Sequence, residues 1–235
     1  MNIVITQDYE EMSMQSAKFV AENLLKDSKK ISIGLATGST PTGMYDILVP
    51  IINLGIFNER VFFYNIDEYC NIDLNKNGTC KKYLLDNFYS KVSINAKNIY
   101  FLDEFNYKNY DNVISDFGGF DVLILGIGKN GHIAYNEPGT SFNSLTHIQE
   151  LSVESKMQHE VDFGSIDNVP EKAVTIGIKT IMNSKCILLM ASGKEKAEII
   201  KKSLKGEISE NIPASVLQLH PNLHVVLDKE AASLL

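Results

Sequence analysis

The stretch Leu123-Ile-Leu-Gly-Ile-Gly-Lys-Asn-Gly-His-Ile-Ala-Tyr-Asn-Glu-Pro138 constrains this chain most, because a wholly apolar run passes without a break into a glycine-rich turn. A run that is apolar on both faces reads as a strand covered on both faces, as in a parallel sheet clothed by helices. The turn is built for close approach. Gly126, Gly128 and Gly131 lack a Cβ, so the backbone there can take conformations closed to other residues and come near a ligand. The same turn carries His132, whose unperturbed pKa lies near neutrality, with Asn136 and Glu137 close enough in sequence to orient it or share its proton. Taken alone, the motif has a plainer reading: a tight turn whose histidine merely caps the backbone.

The pattern repeats along the chain. Strand-length apolar runs at Ile3–Ile5, Ile31–Leu35, Val61–Asn65, Val122–Gly126, Val174–Ile178, Cys186–Met190 and His224–Leu227 alternate with segments of helical period. Ala17, Val20, Ala21, Leu24 and Leu25 share one helical face, as do Met44, Ile47, Leu48 and Ile51 after Pro41, and Ala197, Ile200 and Leu204 after Gly193. Pro50 interrupts the second of these patterns and is expected to end or kink that helix. Such alternation predicts an α/β fold: a doubly wound, mostly parallel sheet with helices on both faces, three-layered and Rossmann-like. With 235 residues, 44% of them hydrophobic, and no linker-like segment, the chain is expected to form a single domain over residues 1–235.

Four polar segments each follow a predicted strand and should therefore meet at one edge of the sheet, where open α/β sheets bind ligands. After Ile31–Leu35 comes Ala36-Thr-Gly-Ser-Thr-Pro-Thr-Gly43, in which Thr37, Gly38, Ser39 and Thr40 lead into a helix carrying proline in its first turn. Free N–H groups and a positive dipole end would there face a phosphate; a simple N-cap by Ser39 or Thr40 is the alternative. After Val61–Asn65 comes Ile66-Asp-Glu-Tyr69, where strand alternation sends one of Asp67 and Glu68 over the crevice as a candidate base. The alternative is a turn acid that caps the next element. The His132 turn is the third segment, and Ala191-Ser-Gly-Lys-Glu-Lys196 the fourth, where Lys196 is placed to add charge beside the same anion.

A net charge of −7 argues against a nucleic-acid partner, which clustered Lys and Arg would hold. No apolar run approaches membrane length and the N-terminus lacks a targeting pattern, so no membrane partner and a cytoplasmic location are expected. Cys70, Cys80 and Cys186 are odd in number and scattered, which reads as reduced structural thiols rather than a metal knuckle or a nucleophile. The five histidines show no i, i+4 pairing with a carboxylate, so neither a metal nor another cofactor is expected. No feature fixes an oligomeric state.

Four motifs, in order and across essentially the whole chain, resemble the amino-sugar phosphate deaminase/isomerases. LATGSTPTGMY at Leu35–Tyr45 resembles that family's phosphate loop, NIDEY at Asn65–Tyr69 its segment with the catalytic aspartate, GIGKNGHIAYNEPG at Gly126–Gly139 its ring-opening segment, and LQLH at Leu217–His220 its C-terminal signature. The resemblance implies that a sugar phosphate is the small-molecule partner, that Asp67 moves the proton between carbons 1 and 2, that His132 opens the pyranose ring, and that Glu137 supports His132. It also places Lys196 on the phosphate.

Three departures bear on the substrate. Asn130 stands where the glucosamine-6-phosphate pattern has an aspartate that would partner His132, Lys156-Met-Gln-His-Glu-Val161 lacks an expected arginine, and Asn77-Gly-Thr-Cys80 replaces a Pro-x-Ser-Tyr segment. The last two, with GKNGH and Ile212-Pro-Ala-Ser215, resemble the galactosamine-6-phosphate branch. That resemblance implies conversion of galactosamine 6-phosphate to tagatose 6-phosphate and ammonia, with glucosamine 6-phosphate deamination to fructose 6-phosphate as the alternative. More remote are a 6-phosphogluconolactonase, which would lack the NIDEY aspartate in this form, and a non-catalytic sugar-phosphate sensor, which would lose the base.

Overall fold

The wholly apolar runs do become the middle of a parallel sheet. The computed structural model describes residues 1–26, 30–57 and 59–235. In chain order the elements are β1 (Asn2–Thr6), α1 (Tyr9–Leu25), β2 (Ile31–Leu35), α2 (Ser39–Ile52), β3 (Val61–Asn65), β4 (Asp67–Tyr69), α3 (Cys80–Asn87) and β5 (Ile99–Tyr100). They continue with α4 (Tyr107–Phe117), β6 (Val122–Leu125), β7 (His147–Glu150), α5 (Val153–Phe163), β8 (Lys172–Thr175), α6 (Ile178–Met182), β9 (Ile187–Ala191), α7 (Ala197–Lys205) and β10 (Leu223–Asp228). Short 3₁₀ turns fill several of the connections.

Seven strands form one sheet in the order β1-β10-β9-β6-β2-β3-β5, every neighbouring pair parallel. From β2 the chain winds outward through β3 to β5, then returns to the other side of β2 and winds through β6 and β9 to β10. The order therefore reverses between β2 and β6, the position at which such sheets open a ligand crevice. All five residues of β2, β3 and β9 and all four of β6 are buried, the signature of strands packed on both faces. Helices surround this sheet, among them α1 with Met12, Ala17, Val20 and Leu24 inward and α2 with Met44, Tyr45 and Leu48 inward. At the edge, β1 lies beside β10 with Asn2 opposite His224, and Ile3, Val4 and Ile5 stay exposed.

One expected strand is placed elsewhere. Val174–Ile178 reads as a member of the main sheet, but the observed strand is β8, which ends at Thr175 and belongs to a separate antiparallel sheet ordered β4-β8-β7. The run misleads because this small sheet is also covered twice. Val174 packs into the main core and Ala173 into a second cluster with Tyr69, Cys80, Tyr135, Leu151, Phe163 and Val169. Ile178 instead begins α6, the chain turning at Gly177, where a Cβ would lie 2.2 Å from the Ser144 carbonyl oxygen. Smaller shifts occur at strand ends, β6 stopping at Leu125 and β9 running from Ile187 to Ala191. Pro50 neither ends nor breaks α2 at once: it sits in the final turn, so the helix forgoes one backbone bond and stops two residues on, at Ile52. Among the described residues no helix is long and apolar enough to cross a membrane.

Candidate active site

Four contiguous strands, β3-β2-β6-β9, deliver the four polar segments to one edge. Between them opens a cavity of about 620 Å³ that is lined by Thr37, Gly38, Ser39 and Thr40 after β2, by Asp67 after β3, by His132 after β6 and by Lys196 after β9. Residues some 160 positions apart in sequence thus face one another because the strand order reverses where it does.

The loop before α2 is an anion cradle held from behind. Gly38 occupies the N-cap position at φ 93°, a conformation that favours glycine, and no side chain caps the helix. The simple N-cap by Ser39 or Thr40 is therefore not what is observed: both lie inside the first turn. The loop's carbonyls are taken instead. Tyr45 Oη donates to Ala36 O at 2.6 Å, Tyr83 Oη to Gly38 O at 2.7 Å, and Tyr9 Oη to Ser39 O at 2.9 Å. Because a peptide unit is planar and trans, pinning each carbonyl points the next residue's N–H the opposite way. Three tyrosines from three helices thereby aim the N–H groups of Thr37, Ser39 and Thr40. Together with the positive helix end this makes a site for a phosphate.

Asp67 and Glu68, neighbours on β4, meet opposite fates. Glu68 is fully buried and accepts from the backbone N–H of Tyr69 at 2.8 Å, Cys80 at 3.0 Å and Lys81 at 2.7 Å, so it caps the start of α3. Asp67 lines the cavity, is 6% exposed, and its Oδ1 has no hydrogen-bond partner. Burial pushes the Asp67 carboxyl up to about 7, a hydrogen bond from Cys80 pulls it back, and the Glu68 charge pushes it further up. A carboxylate poised near neutrality with a free oxygen facing a cavity is a proton acceptor in waiting.

His132, in the same cavity lining, stacks on the glycine turn. A Cβ on Gly128 would sit 2.2 Å from its ring, so this glycine makes room for the protein's own imidazole rather than for a ligand. The ring is buried, which lowers its pKa to about 4 while Glu137 pulls the other way, so the imidazole is neutral at pH 7. Asn130 Oδ1 accepts from the His132 backbone N–H at 3.1 Å, and its Nδ2 donates to Glu137 Oε2 at 2.8 Å. Glu137 also accepts from the N–H and hydroxyl of Ser152, at 3.2 Å each. Glu137 thus acts on His132 through its charge and through Asn130, while the ring's Nδ1 lies 3.3 Å from Ser155 Oγ. Asn136 plays no part: its amide donates to the carbonyls of Ile133 and Ile176.

Lys196 donates to Ile127 O at 2.7 Å, and burial lowers its pKa from the usual lysine value. Lys194 is exposed. Nothing in the sequence singles out Ser152, Ser155 or Tyr83, and the cavity-lining Tyr69 and Tyr135 carry no expected role. Cys80, Gln158 and His159 also line the cavity and lie in the two segments that depart from the glucosamine-6-phosphate pattern; Gln158 Nε2 is a buried donor without a partner. The chain's one arginine, Arg60, immediately precedes β3 at its amino end and so lies across the sheet from the cavity. Among the described residues no cluster of His, Cys, Asp and Glu could hold a metal ion.

A switch-point crevice whose walls combine an anion cradle, a buried carboxylate and a neutral imidazole is the layout of an α/β enzyme acting on a small phosphorylated molecule. The chain belongs to the family described as glucosamine-6-phosphate isomerases/6-phosphogluconolactonase, whose model matches residues 7–225. It is 41% identical over 242 residues to a glucosamine-6-phosphate deaminase of Clostridium acetobutylicum, with all of both chains covered. A glucosamine-6-phosphate deaminase of Thermoanaerobacter pseudethanolicus is 38% identical, covering 100% of this chain and 95% of its own. Among solved structures, a monomeric glucosamine-6-phosphate deaminase superposes with a TM-score of 0.95 at 38% identity over the whole of both chains. A 6-phosphogluconolactonase from Thermotoga maritima shares the fold, with a TM-score of 0.75 at 23% identity over 97% of this chain and 98% of its own.

Proposed function

We propose that this chain is a glucosamine-6-phosphate deaminase, converting glucosamine 6-phosphate and water to fructose 6-phosphate and ammonia within one unit spanning residues 1–235. One observation carries the reading: the free, buried Oδ1 of Asp67 shares a cavity with a neutral His132, an uncapped helix start and Lys196. The galacto substrate implied by Asn77–Cys80 and Gln158–Glu160 gains no support. Asn77, Cys80 and Gln158 do line the cavity, but the relatives at 38–41% identity are named for the gluco sugar.

In this reading the phosphate rests on the N–H groups of Thr37–Thr40 with Lys196 adding charge, which fixes the sugar by its far end. Neutral His132 takes the proton of the anomeric hydroxyl and returns it to the ring oxygen, so the pyranose opens to the aldehyde. Glu137, held by Asn130 and Ser152, stabilises the imidazolium that forms in between. Asp67 then removes the proton from carbon 2 and delivers it to carbon 1 while the substrate's amine gives up a proton to oxygen 1, leaving a ketose imine. Water adds to the imine carbon and ammonia leaves. Each proton-transfer group contributes about 10²–10⁴ in rate.

Ammonia release measured side by side on glucosamine 6-phosphate and galactosamine 6-phosphate tests the reading. The gluco epimer should give the higher kcat/KM, by about ten- to a hundredfold for one mispaired hydroxyl, with fructose 6-phosphate as the second product. A preference for the galacto epimer would overturn the substrate, and no ammonia from either would overturn the reaction.

A further inference from the structure

One buried carboxylate has no task in the reaction above. Asp228, the last residue of β10, is 4% exposed, and every partner it has is a donor. Its Oδ2 accepts from the Ser192 hydroxyl and from the Gly193 N–H at 3.0 Å, while its Oδ1 accepts from the Ala231 N–H at 2.7 Å. Ser192 and Gly193 open the segment after β9 that carries Lys196. Gly193 sits at φ 94°, and its carbonyl accepts from the Lys196 N–H at 3.0 Å to close the 3₁₀ turn Lys194–Lys196. The Lys196 ammonium in turn donates to Ile127 O, in the loop after β6. A continuous line of hydrogen bonds therefore crosses three neighbouring strand ends, from β10 through β9 to β6.

We propose that Asp228 is a positioning residue for Lys196, holding Ser192 and Gly193 at the end of β9 and so setting the turn from which the lysine reaches the cavity. This role rests on the reading above, in which Lys196 meets the phosphate. A carboxylate suits it because an ionised Asp only accepts, and it here serves three donors at once. Asp228 itself is not among the residues lining the cavity, so its effect must pass through the turn. A lysine has much rotamer freedom to lose when it grips an anion, and a turn fixed in advance leaves less of that ordering to the binding step.

Asp228→Asn separates the two jobs of the carboxylate. Its one remaining oxygen can keep the Ala231 N–H, so the turn after β10 stays anchored. The NH₂ group in place of the other oxygen meets the Gly193 N–H, donor against donor, so the turn after β9 is released. KM for glucosamine 6-phosphate should rise about three- to tenfold, the order of one lost hydrogen bond, with a much smaller change in kcat. In a Lys196→Ala background the same substitution should add nothing, because a residue that acts through the lysine has nothing left to position. A merely structural aspartate would lower Tm and multiply its loss onto that of Lys196→Ala.

The deciding measurement needs no turnover: calorimetric titration of inorganic phosphate into the wild type, Asp228→Asn, Lys196→Ala and the double variant. Asp228→Asn should weaken phosphate by about the same three- to tenfold, and the double variant should match Lys196→Ala. Phosphate affinity left intact by Asp228→Asn, or losses that multiply in the double variant, overturns the role. So does a wild type whose uptake of phosphate is absent or indifferent to Lys196→Ala. If Asp228→Asn fails to fold, Ser192→Ala cuts one link at the turn and leaves β10 untouched. It should weaken phosphate in the same direction and only while Lys196 is present; no change there overturns the role as well. A wild type that binds phosphate yet releases no ammonia from either sugar would sink the reaction and leave this titration standing.

Discussion

The two sheets divide the work of the site unequally. The seven-stranded parallel sheet supplies the cradle, the imidazole turn and Lys196 from strands buried on both faces, and the cavity-facing groups of its loops are held from behind: carbonyls pinned by tyrosines, Glu137 held by Asn130 and Ser152. The three-stranded antiparallel sheet supplies Asp67, the proposed base, with its carboxylate left unsatisfied on Oδ1. The junction is a single residue, Ile66, between the end of β3 and the start of β4, with its carbonyl accepting from Ile176 N–H at 2.9 Å. In the proposed reaction the large sheet places and the small one reacts. Within the small sheet the contrast recurs at closer range, where Glu68 has three donors and Asp67 keeps a free oxygen.

The sharpest way to break that contrast is Asp67→Asn. Turnover should fall by about 10² or more, as for loss of a general base, while substrate binding persists; more than roughly a tenth of wild-type turnover would remove Asp67 from the role. The same variant should gain stability. The folded pKa of Asp67 lies near 7 against a usual 3.8, so the native state holds the proton more tightly, and folding stability is lost as pH rises between these values. Asn removes that loss, so the Tm difference between variant and wild type should widen from pH 5 to pH 8, up to about 4 kcal/mol in free energy. His132, lowered to about 4, works in the opposite sense between pH 6.5 and 4, and cancels when the two proteins are compared at equal pH. A Tm difference that does not change with pH would mean Asp67 is not held near neutrality.

Glu68→Ala should do the reverse, stranding three buried N–H donors and costing about 2–5 kcal/mol of stability. That corresponds to about 2–4 °C of Tm per kcal/mol in a chain of this size. The limb of kcat/KM that rises with pH, in whatever activity survives, should move to lower pH, because the Glu68 charge that pushes the Asp67 carboxyl up is gone. The smallest effect is expected at the large sheet: Lys196→Ala should raise KM for the phosphorylated sugar by about tenfold, the order of one charge-assisted hydrogen bond, and leave a dephosphorylated sugar unaffected. An unchanged KM for the phosphorylated sugar would put the phosphate elsewhere.

The same division decides what was legible in the sequence. The parallel strands announce themselves because burial on both faces leaves continuous apolar runs, and β2 and β3 were bounded to the residue. The site residues after them, Thr37–Thr40, Asp67, His132 and Lys196, were readable because parallel strands send their carboxyl ends to one edge. The small sheet was not legible. Its strands are three or four residues long, too short to show a period, and Val174 imitates a main-sheet strand by packing into the main core. The alternative of a capping acid at Asp67–Glu68 was correct for one residue and incorrect for its neighbour, a distinction that depends on α3 arriving from a distance in sequence. Ser152 and Ser155 were missed because only folding brings α5 against the glycine turn.

The pairing of β1 with β10 has a kinetic consequence. Asn2 and His224 are 222 residues apart, yet they lie side by side in the sheet. Contacts so distant along the chain form late, after nearer ones have reduced the loop that must be closed. The β2/β3 pair, separated by a single helix, can assemble without β1, whereas β1 has no place to dock until β10 has settled on β9. A substitution in β1 such as Val4→Ala should therefore speed unfolding and leave the folding rate nearly untouched. In a cell, β1 would leave the ribosome before β10 and be seated after it.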